Sequence, residues 1–149
     1  MEYIAEQITD EEAALLHQEI GNCKAQQTFE CLVALVALRQ WFQYWKGTRV
    51  ELRVRSDSVC CLTMVLAHKA SGVGTGIIAR ELALDVARAC YVPTVVEHVP
   101  GVANKTCDTL SRLHEPGKDA GLPQHLVEVP RARPPPRDAA FFPTLAHPC

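Results

Sequence analysis

Two short strand patterns, separated by two helical patterns, constrain the fold of this chain more than any other feature. Residues 50–55 alternate strictly between apolar and charged side chains, and residues 94–98 form a second strand-like run. Strands that alternate with helices are typical of parallel sheets. The sequence therefore predicts an α/β fold, in which functional residues gather beyond the carboxyl ends of the strands.

Helical patterns occupy the segments around these strands. Thr9, with Glu12 three residues later, forms a capping box that predicts a helix start. Residues 25–46 have apolar positions at helical spacing, which predicts a largely buried helix that ends at Gly47. We expect further helices from the Ser56-Asp57-Ser58 cap to about residue 69, after the glycine-rich run, and over residues 104–113.

The glycine-rich run of residues 71–76 connects two of these helices. Its Gly-x-Gly-x-Gly spacing superficially resembles a phosphate-binding loop, but it does not directly follow a strand and lacks a following Lys-Ser/Thr pair. The sequence therefore predicts a flexible connection here rather than a nucleotide site.

Composition and charge limit the function classes. The chain has 149 residues, of which 48% are hydrophobic, which suffices for one domain with a core. Its net charge of −2 gives no overall attraction for nucleic acid, so such binding needs a local basic patch. The densest basic run comprises Arg39, Lys46, Arg49, Arg53 and Arg55.

Cysteine usage and the chain start bear on location. The 7 cysteines are odd in number and lack zinc-ligand spacing, so we expect reduced thiols and an intracellular, cytoplasmic or nuclear protein. The first residues have no basic segment followed by an apolar one, so no signal peptide is predicted. The longest apolar run, residues 31–38, is too short to span a membrane.

Residues 115–149 differ from the rest of the chain because they hold most of its 10 prolines. Proline fixes φ and lacks an amide donor, so regular helix and sheet are disfavoured there. The sequence predicts a domain over residues 1–114 and an extended, largely disordered tail. A proline-rich ligand for a partner domain is the alternative, and Phe141-Phe142 is a candidate to dock back on the domain.

Three carboxylates stand at a strand end or a helix start: Glu30, Asp57 and Asp108. Each has a simpler explanation, because Asp57 suits a helix cap and the other two suit the positive end of a helix. If the fold brings the three together, they form a cation site, since magnesium prefers oxygen ligands. His98 alone is typical of a polar residue at a strand end.

Three segments match one known family together. They contain Glu30 in residues 27–32, Asp57 in residues 54–58, and His98, Asn104 and Asp108 in residues 97–112. In combination they resemble the type 1 ribonuclease H domain of retrotransposon reverse transcriptases. The resemblance covers residues 1–113, and the last motif is its most specific part because His, Asn and Asp stand there at matching spacings.

The resemblance implies a ribonuclease H-like mixed sheet of five strands flanked by helices, and cleavage of the RNA strand of an RNA–DNA hybrid. In this family four carboxylates hold two magnesium ions, one activating the attacking water and one stabilising the leaving oxygen. By this resemblance Glu30, Asp57 and Asp108 are metal ligands. His98 assists proton transfer or product release. Asn104 has a structural or a substrate-binding role, and Ser58 contacts the substrate.

The chain departs from the family in one respect. The family's first carboxylate is an aspartate in a Thr-Asp-Ala/Ser-like motif on the central strand, and nothing similar stands upstream of Glu30. The first two strands are therefore expected to be missing, and residues 1–4 match at most the end of the third. We expect weak magnesium binding, greatly reduced activity, and unpaired backbone groups along residues 50–55.

The leading hypothesis is a remnant or fragment of a retroelement ribonuclease H domain. Its implied partners are an RNA–DNA hybrid and the remainder of a reverse transcriptase polyprotein, with no membrane. One alternative is a non-catalytic module that binds nucleic acid or tethers a reverse transcriptase. Another is a domesticated interaction protein that uses the proline-rich tail.

Overall fold

The computed structural model describes residues 1–48, 50–88, 93–115, 117 and 121–146. Six α-helices and two β-strands lie in this part of the chain. The helices are α1 (Asp10–Leu15), α2 (Gln26–Gln40), α3 (Val59–Ala67), α4 (Val73–Ala87), α5 (Lys105–Ser111) and α6 (Pro143–Ala146). The strands are β1 (Leu52–Ser56) and β2 (Pro93–His98), and 3₁₀ turns span Cys23–Ala25, Phe42–Tyr44, Gly101–Ala103 and Gln124–Leu126.

The two strands pair in parallel, which confirms the predicted α/β class and strand direction. The register places Ser56 opposite His98 and Arg55 opposite Glu97, so both strands end at the same edge. Arg55 Nε and Glu97 Oε2 lie 2.9 Å apart across the pair. Among the described residues the sheet has these two strands, whereas the resemblance implied a five-stranded family sheet that lacks its first two strands in this chain.

Local capping explains where the helices begin. At α1, Glu12 N donates to Thr9 Oγ1 at 3.2 Å and Thr9 N donates to Glu12 Oε2 at 2.7 Å, which confirms the predicted capping box. The predicted helix over residues 25–46 is shorter in the structure, because α2 ends at Gln40 and the 3₁₀ turn Phe42–Tyr44 follows. Four aromatic residues crowd this segment, and aromatic side chains lose rotamer freedom in a helix.

The glycine-rich run is not the flexible connection that the sequence predicted, because α4 begins at Val73 inside it. Gly72 N donates to Thr75 Oγ1 at 3.1 Å, which satisfies one amide at the helix start. Gly74 is needed for packing, since a Cβ there would lie 2.6 Å from Leu16 O and 2.7 Å from Thr28 Cγ2. The glycine therefore lets α4 approach the end of α1 and the start of α2.

The core forms where α2 packs against α3 and α4, while both strands pack on α3. Its fully buried side chains are Leu16, Leu32, Leu35, Met64, Val65, Ile77, Ile78, Leu82 and Phe142. Leu52, Val54 and Val96 pack on this core from the sheet and are only partly buried. In the described part of the chain, no helix combines the length and the apolar character that a membrane crossing requires.

Within the tail, residues 121–146 pack along the domain with little regular structure. Ala132 N donates to Tyr3 O at 2.8 Å, and Arg137 forms an ion pair with Glu12 that is largely shielded from solvent. Phe142 is fully buried in the core. Burial of the Phe142 ring and the Arg137–Glu12 ion pair offset the conformational entropy that residues 121–146 lose when they pack on the domain.

Candidate functional site

A groove of about 400 Å³ lies at the carboxyl end of β1, where the parallel topology predicts functional residues. Asp57 reaches it from the residue after β1, and Glu30 reaches it from the second turn of α2. The structure thus brings two of the three predicted carboxylates to one groove. The remaining lining residues are Cys23, Gln26, Gln27, Ser58, Val59 and Cys60.

Asp57 is not the helix cap that its simpler explanation required. The cap of α3 is Ser58, whose Oγ accepts a hydrogen bond from Cys61 N at 3.2 Å. Ser58 N in turn donates to Ser56 Oγ at 3.0 Å. These bonds occupy the hydroxyl groups on both sides of Asp57 and leave its exposed carboxylate to face the groove. The substrate-binding role of Ser58 stays a prediction.

The loop after β2 folds over Asp57. Asn104 Nδ2 donates to Asp57 Oδ1 at 3.1 Å, which joins the two sequence motifs. The parallel pair continues into this loop, because Val99 N donates to Ser56 O at 3.0 Å. At Gly101 a Cβ would lie 3.6 Å from Asp57 Oδ2, so the loop backbone is also close to the carboxylate. Asn104 therefore orients Asp57, a contact that the sequence motif alone did not reveal.

Glu30 is held by a neighbour on its own helix. Gln26 Nε2 donates to Glu30 Oε1 at 3.1 Å, and both side chains line the groove. Gln26 was not among the predicted site residues, although the four-residue spacing of Gln26 and Glu30 on a helix is typical of such a contact. The amide fixes one carboxylate oxygen and leaves the other free of this bond.

Asp108 lies on α5 and does not line the groove. Its Oδ1 accepts from Arg112 Nε at 3.0 Å, and both side chains are about half exposed. Among the residues that the structure describes, no group of three or more His, Cys, Asp or Glu side chains has metal-site geometry. The three-carboxylate magnesium site therefore stays a prediction.

His98 ends β2 at the same sheet edge as Asp57. It lies opposite Ser56 in the strand register, and its side chain is exposed. This position keeps the imidazole near the strand end and open to solvent. The proposed part of His98 in proton transfer or product release stays a prediction.

The negative charge of Asp57 acts on the Cys107 thiol of α5. Partial burial of the Cys107 thiol, and secondly the negative charge of Asp57, raise the pKa of this cysteine above its ordinary value, although the residue as a whole is exposed. Behind the groove, a hydrogen bond to Cys61, followed by burial, raises the pKa of Cys31. The buried residues Cys31 on α2 and Cys61 on α3 therefore lie close to each other where these helices meet.

The basic run that could have formed a nucleic-acid patch is partly used within the protein. Arg39 pairs with Glu81 at 2.8 Å and with Asp85 at 2.6 Å, and Arg55 pairs with Glu97. Lys46 and Arg53 are exposed, and Arg49 lies outside the described residues. The described part of the run therefore presents few uncompensated cations.

A buried charge cluster, Arg39 with Glu81 and Asp85, was not predicted from the sequence. Glu81 is 0% exposed, and its Oε1 accepts from Thr144 N at 2.7 Å. Burial lowers the pKa of Arg39, but the hydrogen bonds and charges of the two acids outweigh it and raise this pKa overall. The sequence signal for this cluster is a pair of acids, Glu81 and Asp85, at four-residue spacing in a largely apolar helix.

Comparison with known proteins adds no relative: no protein-family model, no curated protein and no solved structure matches the chain. The comparisons therefore assign neither a family nor an activity to the chain.

Proposed function

We propose that this chain is a fragment or remnant of a retroelement ribonuclease H domain that, in complete form, cleaves the RNA strand of RNA–DNA hybrids. The observation that carries the proposal is the shared groove of Glu30 and Asp57 at the carboxyl end of β1. The third motif supports it, because Asn104 from that motif donates directly to Asp57. The remainder of a reverse transcriptase is the proposed protein partner.

The donor set of the groove suits a hard cation. Carboxylate oxygens from Glu30 and Asp57, and the side-chain oxygens of Gln26 and Gln27, are ligands of the kind that magnesium accepts. Bound magnesium would activate a water and stabilise the leaving oxygen of the RNA phosphodiester. Glu30 and Asp57 are the residues that would hold it, and Asn104 would keep one Asp57 oxygen oriented.

The same geometry predicts a weak site in this chain by itself. The groove receives two carboxylates, and the third candidate, Asp108, is paired with Arg112 outside its lining. Fewer anionic ligands lower the affinity of a site for a divalent cation. We propose that this chain alone cleaves hybrid slowly or not at all, and that His98 would act in proton transfer once the site is complete.

Manganese titration followed by NMR tests this proposal, because paramagnetic Mn²⁺ substitutes for magnesium and broadens the signals of nearby amides. We expect selective broadening at Cys23, Gln26 and Cys60, which line the groove. Asp57→Asn should remove the broadening. The matched control is Glu19→Gln, which changes an exposed acid outside the groove lining and should leave it intact.

Two results would overturn the proposal. One is broadening that is spread over surface acids with no preference for the groove. The other is groove broadening that persists unchanged in Asp57→Asn, which would show that this carboxylate is not a ligand.

A further inference from the structure

The sheet that the described residues form is smaller than is usual for parallel strands. Parallel strands are normally buried on both faces and belong to larger sheets. Here the described residues form a pair of strands, and Arg53, Arg55 and Glu97 are exposed on its outer face. The structure therefore leaves a face and an edge of β1 open to solvent.

Strand geometry identifies which backbone groups lie on the open edge. Ser56 O accepts from Val99 N, so the main-chain groups of Ser56 point toward β2. Main-chain groups alternate sides along a strand, so the N–H and C=O of Arg53 and Arg55 point the opposite way. No strand of the described chain pairs with them there. This free edge of β1 offers two donors and two acceptors to an incoming strand.

The side chains on the inner face favour an apolar partner at alternate positions. Leu52 and Val54 pack on the core but remain only partly buried. A third strand beside β1 would cover their exposed part and extend the apolar layer on α3. An incoming segment with β-branched residues at alternate positions fits this requirement.

We propose that the free edge of β1 binds an extended segment of another polypeptide, which adds a third strand and places an acidic residue opposite Arg53. Arg55 is already paired with Glu97, whereas Arg53 is an exposed cation on the outer face. Opposite charges across neighbouring strands stabilise their pairing. The proposal concerns strand addition only, and it does not depend on the nuclease function.

A second copy of this chain fits the edge less well. An antiparallel self-pairing centred on Val54 would set Arg53 against Arg55, and one centred on Arg53 would set this arginine against itself. Like charges directly opposite each other destabilise a pair of strands. The positive charges of Arg53 and Arg55 therefore disfavour pairing of β1 with a second copy of itself. The positive charge of Arg53 also attracts an acidic strand.

Two synthetic peptides test the proposal on the full 149-residue chain. Both alternate valine with a charged residue over seven positions, one with glutamate and one with lysine. We expect the glutamate peptide to shift the NMR signals of the Arg53 and Arg55 amides and to slow their hydrogen exchange. The lysine peptide should bind about tenfold more weakly, because a like-charge contact opposite Arg53 replaces an opposite-charge one.

Two variants test the edge and the charge of Arg53. Arg53→Pro removes both the cation and an N–H that points away from β2, so it should abolish binding of both peptides while β1 stays paired with β2. Arg53→Glu should keep the edge and reverse the preference toward the lysine peptide. If Arg53→Pro does not fold, the reversal in Arg53→Glu decides the matter.

Several outcomes would overturn the proposal: equal binding of both peptides, slow exchange of the Arg53 and Arg55 amides in the free chain, or a concentration-dependent dimer that protects the same amides. The assay contains no metal and no nucleic acid. Its failure therefore leaves the groove of Glu30 and Asp57 untouched, and failure of the manganese titration leaves the edge untouched.

Discussion

At the scale of single residues, Asp57 connects three parts of the chain. It follows β1, lines the groove with Glu30, and accepts a hydrogen bond from Asn104 in the loop that leads to α5. Its charge also acts on the Cys107 thiol. Substitution of Asp57 therefore tests whether the end of β1, α2 and α5 pack together as the structure has them.

The pH dependence of Cys107 alkylation tests this assembly. Burial and, after it, the charge of Asp57 raise the pKa of Cys107, so the thiolate forms at higher pH than in a free thiol. Asp57→Asn removes the second cause, and the alkylation profile, measured by mass spectrometry, should move to lower pH. Glu19→Gln serves as the control and should leave the profile in place. An unchanged profile in Asp57→Asn would place α5 away from this carboxylate.

Among single residues, we expect Arg39 to contribute most to the free energy of unfolding. Its removal in Arg39→Ala would leave the fully buried Glu81 uncompensated, which typically costs about 3–5 kcal/mol. Arg55→Ala removes an arginine from an ion pair whose side chains are 57% and 47% exposed, and should cost about 0–1 kcal/mol. Urea denaturation measures both free energies of unfolding. Equal losses in the two variants would contradict the buried cluster.

The site residues differ in how far the sequence could predict them. Glu30, Asp57 and Asn104 stand in motifs with fixed spacings, so a linear pattern identifies them. The contact of Asn104 with Asp57 depends on the register that sets Ser56 opposite His98, and no local pattern contains that register. For Asp108 the motif gave a metal ligand, whereas the structure pairs its carboxylate with Arg112.

At the scale of elements, the sequence predicted the start of α1 correctly, but it did not predict that α4 begins inside the glycine-rich run. The capping box at Thr9 is a local hydrogen-bond pattern, and local patterns are carried by neighbouring residues. Gly74 instead serves a contact with Leu16 and Thr28, which are distant in sequence. Composition alone cannot distinguish a glycine that makes the backbone flexible from a glycine that is needed because a Cβ would collide with a neighbouring element.

Substitution of two glycines in α4 separates these roles. Gly74→Ala should destabilise the protein by about 1–3 kcal/mol, because the new methyl group would collide with Leu16 O. Gly76→Ala meets nothing within 4 Å and should stabilise the helix by about 0.5–1 kcal/mol. Thermal or urea unfolding gives both values. If both substitutions stabilise equally, α4 does not pack as closely as the structure has it.

In the tail, too, composition does not predict which residues make long-range contacts. Proline content correctly indicated a segment with little regular structure, and Phe141-Phe142 was recognised as a docking candidate. The sequence did not reveal that Arg39 holds the Phe141 carbonyl and lies 4.7 Å from its ring centroid. Long-range contacts of this kind order a chain that local propensity would leave free.

At the scale of the whole molecule, the class and strand direction followed from the order of the elements. The parallel pair, the helices around it and the position of Asp57 at the carboxyl end of β1 agree with that order. The sequence also predicted unpaired backbone groups along β1, and the described chain has no third strand there.

The central claim is that Glu30 and Asp57 belong to a ribonuclease H site that this chain alone leaves too weak to work. The direct measurement is cleavage of a labelled RNA strand in an RNA–DNA hybrid, with magnesium and the 149-residue chain. We predict cleavage that is at most slow, close to the rate without protein, and little further change in Asp57→Asn. Robust cleavage by the chain that Asp57→Asn abolishes would contradict the account.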